Sequence, residues 1–245
     1  MVTVTQRDGD NQVRVCAIMA AYNESETIAK VIQQTKKYVD KVIVIDDGST
    51  DNTAEIARKS GAEISLHGIN RGPGAAVQTG YSAAISEGFD YIVQIDADGQ
   101  HDPKYIPKLL ETAVNGNYDV VIGSRFLNKS YKNWPLIKKT GIILLTRAVN
   151  LLSSANITDA VSGFKVHKAS SLKLLSKASN RFPAAEQIMG YAEKGMRIKE
   201  ISIEMPLRNN GTSYLSYKKL AIYPFVVIRA LIKVKLYGKE GRDGF

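Results

Sequence analysis

Tyr91-Ile92-Val93-Gln94-Ile95-Asp96-Ala97-Asp98-Gly99-Gln100-His101 runs from a largely apolar stretch straight into oxygen-bearing side chains at alternate positions. A short apolar run closed by Asp and Gly reads as a buried strand, with the carboxylates just past its carboxyl end. Asp96 and Asp98, separated by one small residue, can face a common hard cation, and Gln100 adds a neutral oxygen at the next alternate position. Such ligands suit Mg2+ or Mn2+ bridging phosphates. Taken alone, the stretch equally fits turn and helix-cap chemistry, which uses the same residue types.

Outward from it the pattern repeats. Residues 13–20, 42–45, 62–66 and 120–122 are further β-branched or apolar runs, and 26–38, 53–59, 75–87 and 104–114 carry apolar residues at helical spacing. Ser25, Asp51 and Asp102 stand where N-caps are expected, and Pro103 at a first helical turn. The resulting β-α-β-α-β-α-β-α-β order predicts an α/β fold, a mostly parallel sheet covered on both faces, with active residues after the strands. Two more strand ends carry chemistry, Ala20-Ala21-Tyr22-Asn23-Glu24-Ser25 and Asp46-Asp47-Gly48-Ser49-Thr50-Asp51, so three such loops converge on one edge. Beyond Arg125 the reading is a polar, aromatic loop over 127–134, an apolar helix over 136–152 broken by Arg147, a helix over 183–194 and a strand over 197–203.

The 245 residues, 44% hydrophobic and 23% charged, fit one substantial globular domain. A single Cys16 and three histidines exclude a disulfide framework and a structural zinc site of the Cys/His kind. The net charge of +9 calls for an anionic partner. Seven basic residues against Glu240 and Asp243 put +5 of it after residue 213, where 217–237 reads as one or two amphipathic helices. No N-terminal segment has the pattern of a signal peptide, and the nine-residue uncharged run 220–228 contains Pro224, too short to span a bilayer. The expectation is a domain over 1–215 and a basic helical tail over 216–245 that lies on an anionic membrane surface, the competing reading being a tail packed on the domain or against a second copy.

The ordered motifs Ala21-Tyr22-Asn23-Glu24, Asp46-Asp47-Gly48-Ser49-x-Asp51, Arg71-Gly72-x-Gly74-Ala75, Asp96-Ala97-Asp98-Gly99-Gln100-His101, Gly123-Ser124-Arg125-Phe126, Asp159-x-x-Ser162-Gly163-Phe164-Lys165 and Arg208-x-x-Gly211-x-Ser213 resemble those of family 2 glycosyltransferases with the GT-A fold. The likeness is to their dolichyl-phosphate (polyprenyl-phosphate) mannosyltransferase-like branch and covers about residues 13–215. Ala20 stands where that family usually has Pro, Lys165 where Arg is common, and Tyr214 where Lys follows the Ser.

The resemblance implies a GT-A mixed, mostly parallel sheet flanked by helices, and inverting transfer of a sugar from a GDP- or UDP-linked donor to a polyprenyl phosphate. Tyr22, Glu24, Asp46 and Asp47 would hold base and ribose, with Ala20, Arg71, Gly74, Asp96 and Ala97 completing the nucleotide-sugar site. Asp96, Asp98 and Gln100 would bind Mg2+ or Mn2+ on the diphosphate. Arg125, Lys165, Arg208 and Ser213 would receive the acceptor phosphate, Asp98, Arg125 and Arg208 carrying catalysis. Trp134 falls in the acceptor loop. The place of action implied is the cytoplasmic, inner face of a membrane, peripherally bound, with a homo-oligomer as an open option. A lipid phosphate is already ionised near neutral pH and attacks without a base, whereas a sugar hydroxyl acceptor, the alternative within the family, needs a carboxylate to take its proton.

Two rival classes fit less. A nicotinamide dehydrogenase needs its glycine fingerprint after the first strand, but the turn after Tyr22 has no glycine and Val77 occupies the third fingerprint position of the Gly72-Pro73-Gly74 turn. A basic module for nucleic acid or membrane adhesion leaves the Asp96-Ala97-Asp98 loop without a purpose, because carboxylates repel phosphate unless a metal intervenes. Nucleic acid is therefore not expected as a partner.

Overall fold

The structure, a computed structural model, describes residues 13–128, 131, 134–175 and 183–205. The expected tail and the expected site residues Arg208 and Ser213 lie outside the described residues. The described strands, β1 (Val15–Ala21), β2 (Lys41–Asp46), β3 (Glu63–Leu66), β4 (Tyr91–Gln94), β5 (Val120–Ser124), β6 (Lys165–Lys168) and β7 (Ile198–Ser202), form one sheet in the order β3-β2-β1-β4-β6-β5-β7. All adjacent pairs are parallel except the two that involve β6.

Helices cover both faces, as near-continuous apolar strands require. On one face α1 (Ile28–Thr35), α2 (Thr53–Lys59) and α4 (Ile106–Asn115) pack on Ala17, Met19, Val42 and Val44. On the other, α3 (Pro73–Ser86), α5 (Leu136–Leu152), the short α6 (Ala169–Leu172) and α7 (Pro183–Glu193) pack on Cys16, Ile18, Ile43 and Ile45. The second core holds a buried polar chain: Tyr81 OH donates to Gln94 Oε1, and its oxygen and the Tyr191 hydroxyl each lie 2.9 Å from a ring nitrogen of His167. Burial holds the His167 ring well below its usual pKa, so it is neutral and every member of the chain is matched.

β1 sits between β2 and β4, so the strand order reverses there, and a crevice at the carboxyl ends of β1, β2 and β4 follows. Antiparallel β6 begins at the edge where its neighbours end, since Lys165 pairs with Gln94 and Ile122. The 159–164 loop thereby joins the strand-end loops.

Three sequence expectations need correction, and one strand is additional to them. Helix α1 starts at Ile28 with Thr27 as N-cap, so Ser25 is no cap; its N–H donates to Asp51 Oδ2 at 3.3 Å. Asn52 takes the N-cap of α2, while Asp51 one residue earlier accepts from Thr53 N at 3.0 Å. Helix α5 is continuous, because Arg147 falls on its exposed side and interrupts nothing. Strand β6 was not expected at all: Lys165-Val166-His167-Lys168 has no apolar run, yet it is central and buried.

Candidate functional site

The loops after β1 and β2 are tied together by polar side chains. Asn23, in the left-handed region at φ 55°, donates its N–H to Ser49 Oγ (3.0 Å) and accepts from Thr50 N at Oδ1 (2.8 Å), and Glu24 N donates to Thr53 Oγ1 (2.8 Å). Tyr22 is thereby presented outward, 46% exposed, beside half-buried Ala20 and Glu24. The paired aspartates have different situations. Asp47 is fully engaged: Oδ1 accepts from Arg71 N (3.0 Å) and lies 2.7 Å from His67 Nδ1, and Oδ2 accepts from Gly72 N (2.8 Å). It fixes the loop into α3, with buried Gly74 in the first helical turn and Arg71 exposed. Asp46 accepts from Ser49 N at Oδ1 (2.7 Å), but its buried Oδ2 has no partner among the described residues. A buried carboxylate oxygen left unmatched is costly unless a ligand donor meets it.

After β4, the Asp96 carboxylate is 45% exposed and lies directly over Gly163, where an added Cβ would stand 2.6 Å from Oδ2. Only a residue without a side chain permits that seat. His101 holds the loop from beneath: its Nδ1 accepts from Asp96 N (3.3 Å), and its ring stacks on Phe164 at 5.2 Å between centroids. Burial drives its pKa down to about 4, so the ring is neutral with its proton on Nε2. Asp98 Oδ1 accepts from Gln100 N (3.0 Å), and the Ala97 carbonyl accepts from Thr27 Oγ1 (2.8 Å), which joins this loop to the start of α1. Two carboxylates and an amide oxygen fit a hard divalent cation. No group of three or more His, Cys, Asp and Glu suited to a metal occurs among the described residues; Mg2+ is commonly held by one or two carboxylates together with phosphates.

On the far side of this loop lies a basic cluster. Arg125, at the end of β5, makes a fork-to-fork pair with buried Asp159, Nε to Oδ2 and Nη2 to Oδ1 both at 2.6 Å. Its guanidinium also sits 5.1 Å from the ring centroid of Trp134 and reaches Met205 Sδ at 3.8 Å. Glu200 on β7 supports Asp159 by accepting from Asp159 N (2.9 Å) and Thr158 N (2.8 Å), while burial pushes its own carboxyl pKa up. Lys165 is fully buried, and its Nζ finds no hydrogen-bond partner among the described residues. Desolvation brings its pKa down to about 8 against the pull of Asp159 and Asp96. The sequence suggests phosphate contact at Lys165, whose amine is enclosed among the described residues.

The edge thus brings together the expected Ala20, Tyr22, Glu24, Asp46, Asp47, Arg71, Gly74, Asp96, Ala97, Asp98, Gln100, Arg125 and Lys165, on loops joined by hydrogen bonds, by close contact or by shared strand ends. Sequence reasoning places Asp159 and His101 in motifs without giving them a role, and misses Thr27, Glu200 and the role of Gly163. Motif matching could have found Gly163, since Ser162-Gly163-Phe164 was already singled out, but Thr27 and Glu200 carry no signal beyond being polar.

Residues 16–175 match the family model for glycosyl transferase family 2. The chain is 34% identical over 219 residues to a UDP-N-acetylglucosamine–dolichyl-phosphate N-acetylglucosaminyltransferase of Methanococcus voltae, covering 80% of this chain and 86% of that one. It is 30% identical over 216 residues to an undecaprenyl-phosphate mannosyltransferase of Micrococcus luteus, covering 83% and 88%. Among solved structures, glucosyl-3-phosphoglycerate synthase from Mycobacterium tuberculosis in complex with UDP superposes with a TM-score of 0.72 at 19% identity, over 94% of this chain and 86% of that one. The same enzyme with Mn2+, UDP-glucose and phosphoglyceric acid gives 0.70 at 19%, over 91% and 80%. The expected fold, a mixed sheet flanked by helices as in GT-A glycosyltransferases, is borne out.

Proposed function

The chain is a family 2 glycosyltransferase, and from that premise we propose that it moves a sugar from a nucleoside-diphosphate sugar to a polyprenyl phosphate, with inversion at the anomeric carbon and with a divalent ion, Mg2+ or Mn2+, on the donor diphosphate. The relatives named for transfer to dolichyl and undecaprenyl phosphate support the acceptor class. One observation carries the choice of a phosphate over a hydroxyl: Asp159, the carboxylate at the basic end of the site, has both oxygens bound by Arg125. A carboxylate locked in a bidentate pair is poorly placed to take a proton, and an ionised phosphate does not ask for one.

In this reading Asp46 meets a donor N–H of the base with its unmatched oxygen, Tyr22 and Glu24 flank the nucleoside, and Asp47 holds the Arg71-Gly72 backbone in place. Asp96, seated on Gly163, and Asp98, with Gln100, would hold a divalent ion, which when bound would supply positive charge toward the departing nucleoside diphosphate. Arg125, braced by Asp159 and Trp134, and Lys165 from below supply positive potential that draws the acceptor phosphate toward the donor. Arg208 and Ser213 would add phosphate contacts. A bond forms between an acceptor phosphate oxygen and the anomeric carbon as the bond from that carbon to the diphosphate oxygen breaks, so no protein group gains or loses a proton.

Polyprenyl phosphate tested against the matching polyprenol, with the product anomer read by NMR, examines this directly. Glycosylation of the phosphate with inverted configuration is expected. Equal use of the alcohol, or retained configuration, contradicts it.

A further inference from the structure

Glu200 belongs to none of the ordered motifs and stands on β7, at one edge of the sheet beside β5. It is nonetheless tied to Arg125 by two routes. Its Oε1 accepts from Asp159 N (2.9 Å), and Asp159 in turn accepts from the Arg125 backbone N–H (3.2 Å) and grips the guanidinium with both oxygens. Its Oε2 accepts from Thr158 N (2.8 Å) and Thr158 Oγ1 (3.0 Å), so the Ser124 hydroxyl, 2.6 Å from Thr158 Oγ1, donates to that oxygen. Ser124 Oγ then accepts from Phe126 N (3.2 Å). The residues on either side of Arg125 are thereby anchored, through Thr158, to the same carboxylate.

We propose that Glu200 is a positioning residue for transfer, setting the pose in which Arg125 meets the acceptor phosphate. This rests on the proposed role of Arg125. The rest of the loop leaves the task to Glu200. Helix α5 holds the two flanks, where Asn150 bonds Ile157 at its carbonyl (2.8 Å) and its N–H (3.2 Å) and Thr146 Oγ1 accepts from Ala160 N (3.2 Å). Thr158 and Asp159, between those flanks, have their backbone N–H groups held from β7. The residue type matters, because all three partners donate: a carboxylate accepts on both oxygens, whereas an amide turns an NH2 group against an N–H. The carboxylate is also costly, since burial and the neighbouring Asp159 charge push its pKa up. An apolar contact would pin the loop to the strand without that cost, but would not fix the direction of two backbone N–H groups. Direction is what a reacting centre needs, where a displacement of about 1 Å is felt in the rate.

Trp134, the single tryptophan of the chain, reports on this pose without turnover, because its ring is buried and the Arg125 guanidinium lies 5.1 Å from the ring centroid. The full chain carrying Glu200→Gln should show a red-shifted Trp134 emission as the ring gains water. With a short-chain, water-soluble prenyl phosphate its kcat/KM for the acceptor should fall on the order of 10- to 100-fold, while KM for the nucleotide sugar stays within about twofold. A purely structural brace lowers the melting temperature and moves neither reading. Wild-type emission and acceptor kinetics in the folded variant overturn the proposal, as do equal losses for donor and acceptor. Should Glu200→Gln not fold, Thr158→Val removes the hydroxyl between Ser124 and Glu200, and the same split in smaller measure is expected; unchanged acceptor kinetics there overturn it. If the wild type glycosylates no prenyl phosphate from any donor while the Trp134 emission still shifts, the proposed reaction fails and the hold of Glu200 on Arg125 stands.

Discussion

Gly163 and Asp96, on loops 67 residues apart in sequence, are in direct contact: the Asp96 carboxylate occupies the space that a Gly163 side chain would fill, 2.6 Å from Oδ2. The orientation of the carboxylate is thus set by a backbone position at the entry to β6. Gly163→Ala should push Asp96 aside without disturbing the cores, and weaken Mn2+ binding by roughly 10- to 100-fold, the usual effect of changing a supporting group around a metal ligand. Titration of Mn2+ by electron paramagnetic resonance reads this apart from turnover. Unchanged Mn2+ affinity in a folded variant would show that Asp96 does not depend on this seat.

Asp46 and Asp47 are adjacent in sequence but should respond differently. Asp47→Asn disrupts contacts to two backbone N–H groups and His67, so it should lower the melting temperature. Asp46→Asn should leave folding nearly intact and weaken nucleoside diphosphate binding by about 1.5 to 3 kcal/mol, the worth of a hydrogen bond to a charged group. Calorimetric titration and melting curves separate the two. Equal effects of both changes on nucleotide binding would contradict the division of labour.

Arg125 and Asp159 form a buried pair, so losing one partner leaves an uncompensated charge. Asp159→Ala should destabilise the protein by about 3 to 5 kcal/mol. Arg125→Lys should recover little activity, since an ammonium cannot form two parallel bonds to a carboxylate. Urea denaturation and steady-state kinetics check both, and full activity in Arg125→Lys would show that charge alone suffices.

Lys165 gives the site a pH signature. Its pKa is about 8 in the folded protein against an ordinary 10.5, so between these values the unfolded chain holds more protons and stability rises with pH. Below about 8 the native state carries a buried ammonium at full cost. Lys165→Met should remove that rise, and at pH 7 should raise stability by up to about 3 kcal/mol, while lowering turnover. Denaturation at pH 7 and pH 10 reads it; strong destabilisation at pH 7 would mean that the ammonium is well matched in the native state.

The first half of the fold was legible in sequence because β1, β2 and β4 are largely apolar runs that end in, or run within two residues into, Asp or Asn. Asp46, Asp96 and Asp98 were found through that abrupt change. Strand β6 was not legible, since its centre is Lys165-Val166-His167-Lys168 and its burial comes from neighbours on both sides. Nor could local pattern show that Asp159 closes on Arg125 across 34 residues, or that Glu200 braces Asp159. Those links depend on β6 and β7 flanking β5, a topological fact that periodicity does not carry.

Transfer itself is the most direct measurement. Purified protein is incubated with radiolabelled UDP- or GDP-sugars, a polyprenyl phosphate in detergent and Mn2+ or Mg2+, and label is counted in the organic phase. At least one donor should give a labelled lipid, abolished by chelator, restored by the ion and nearly absent with Asp98→Ala. No labelled lipid from any donor, or undiminished transfer in excess chelator or in Asp98→Ala, would contradict a metal-assisted transfer to lipid phosphate.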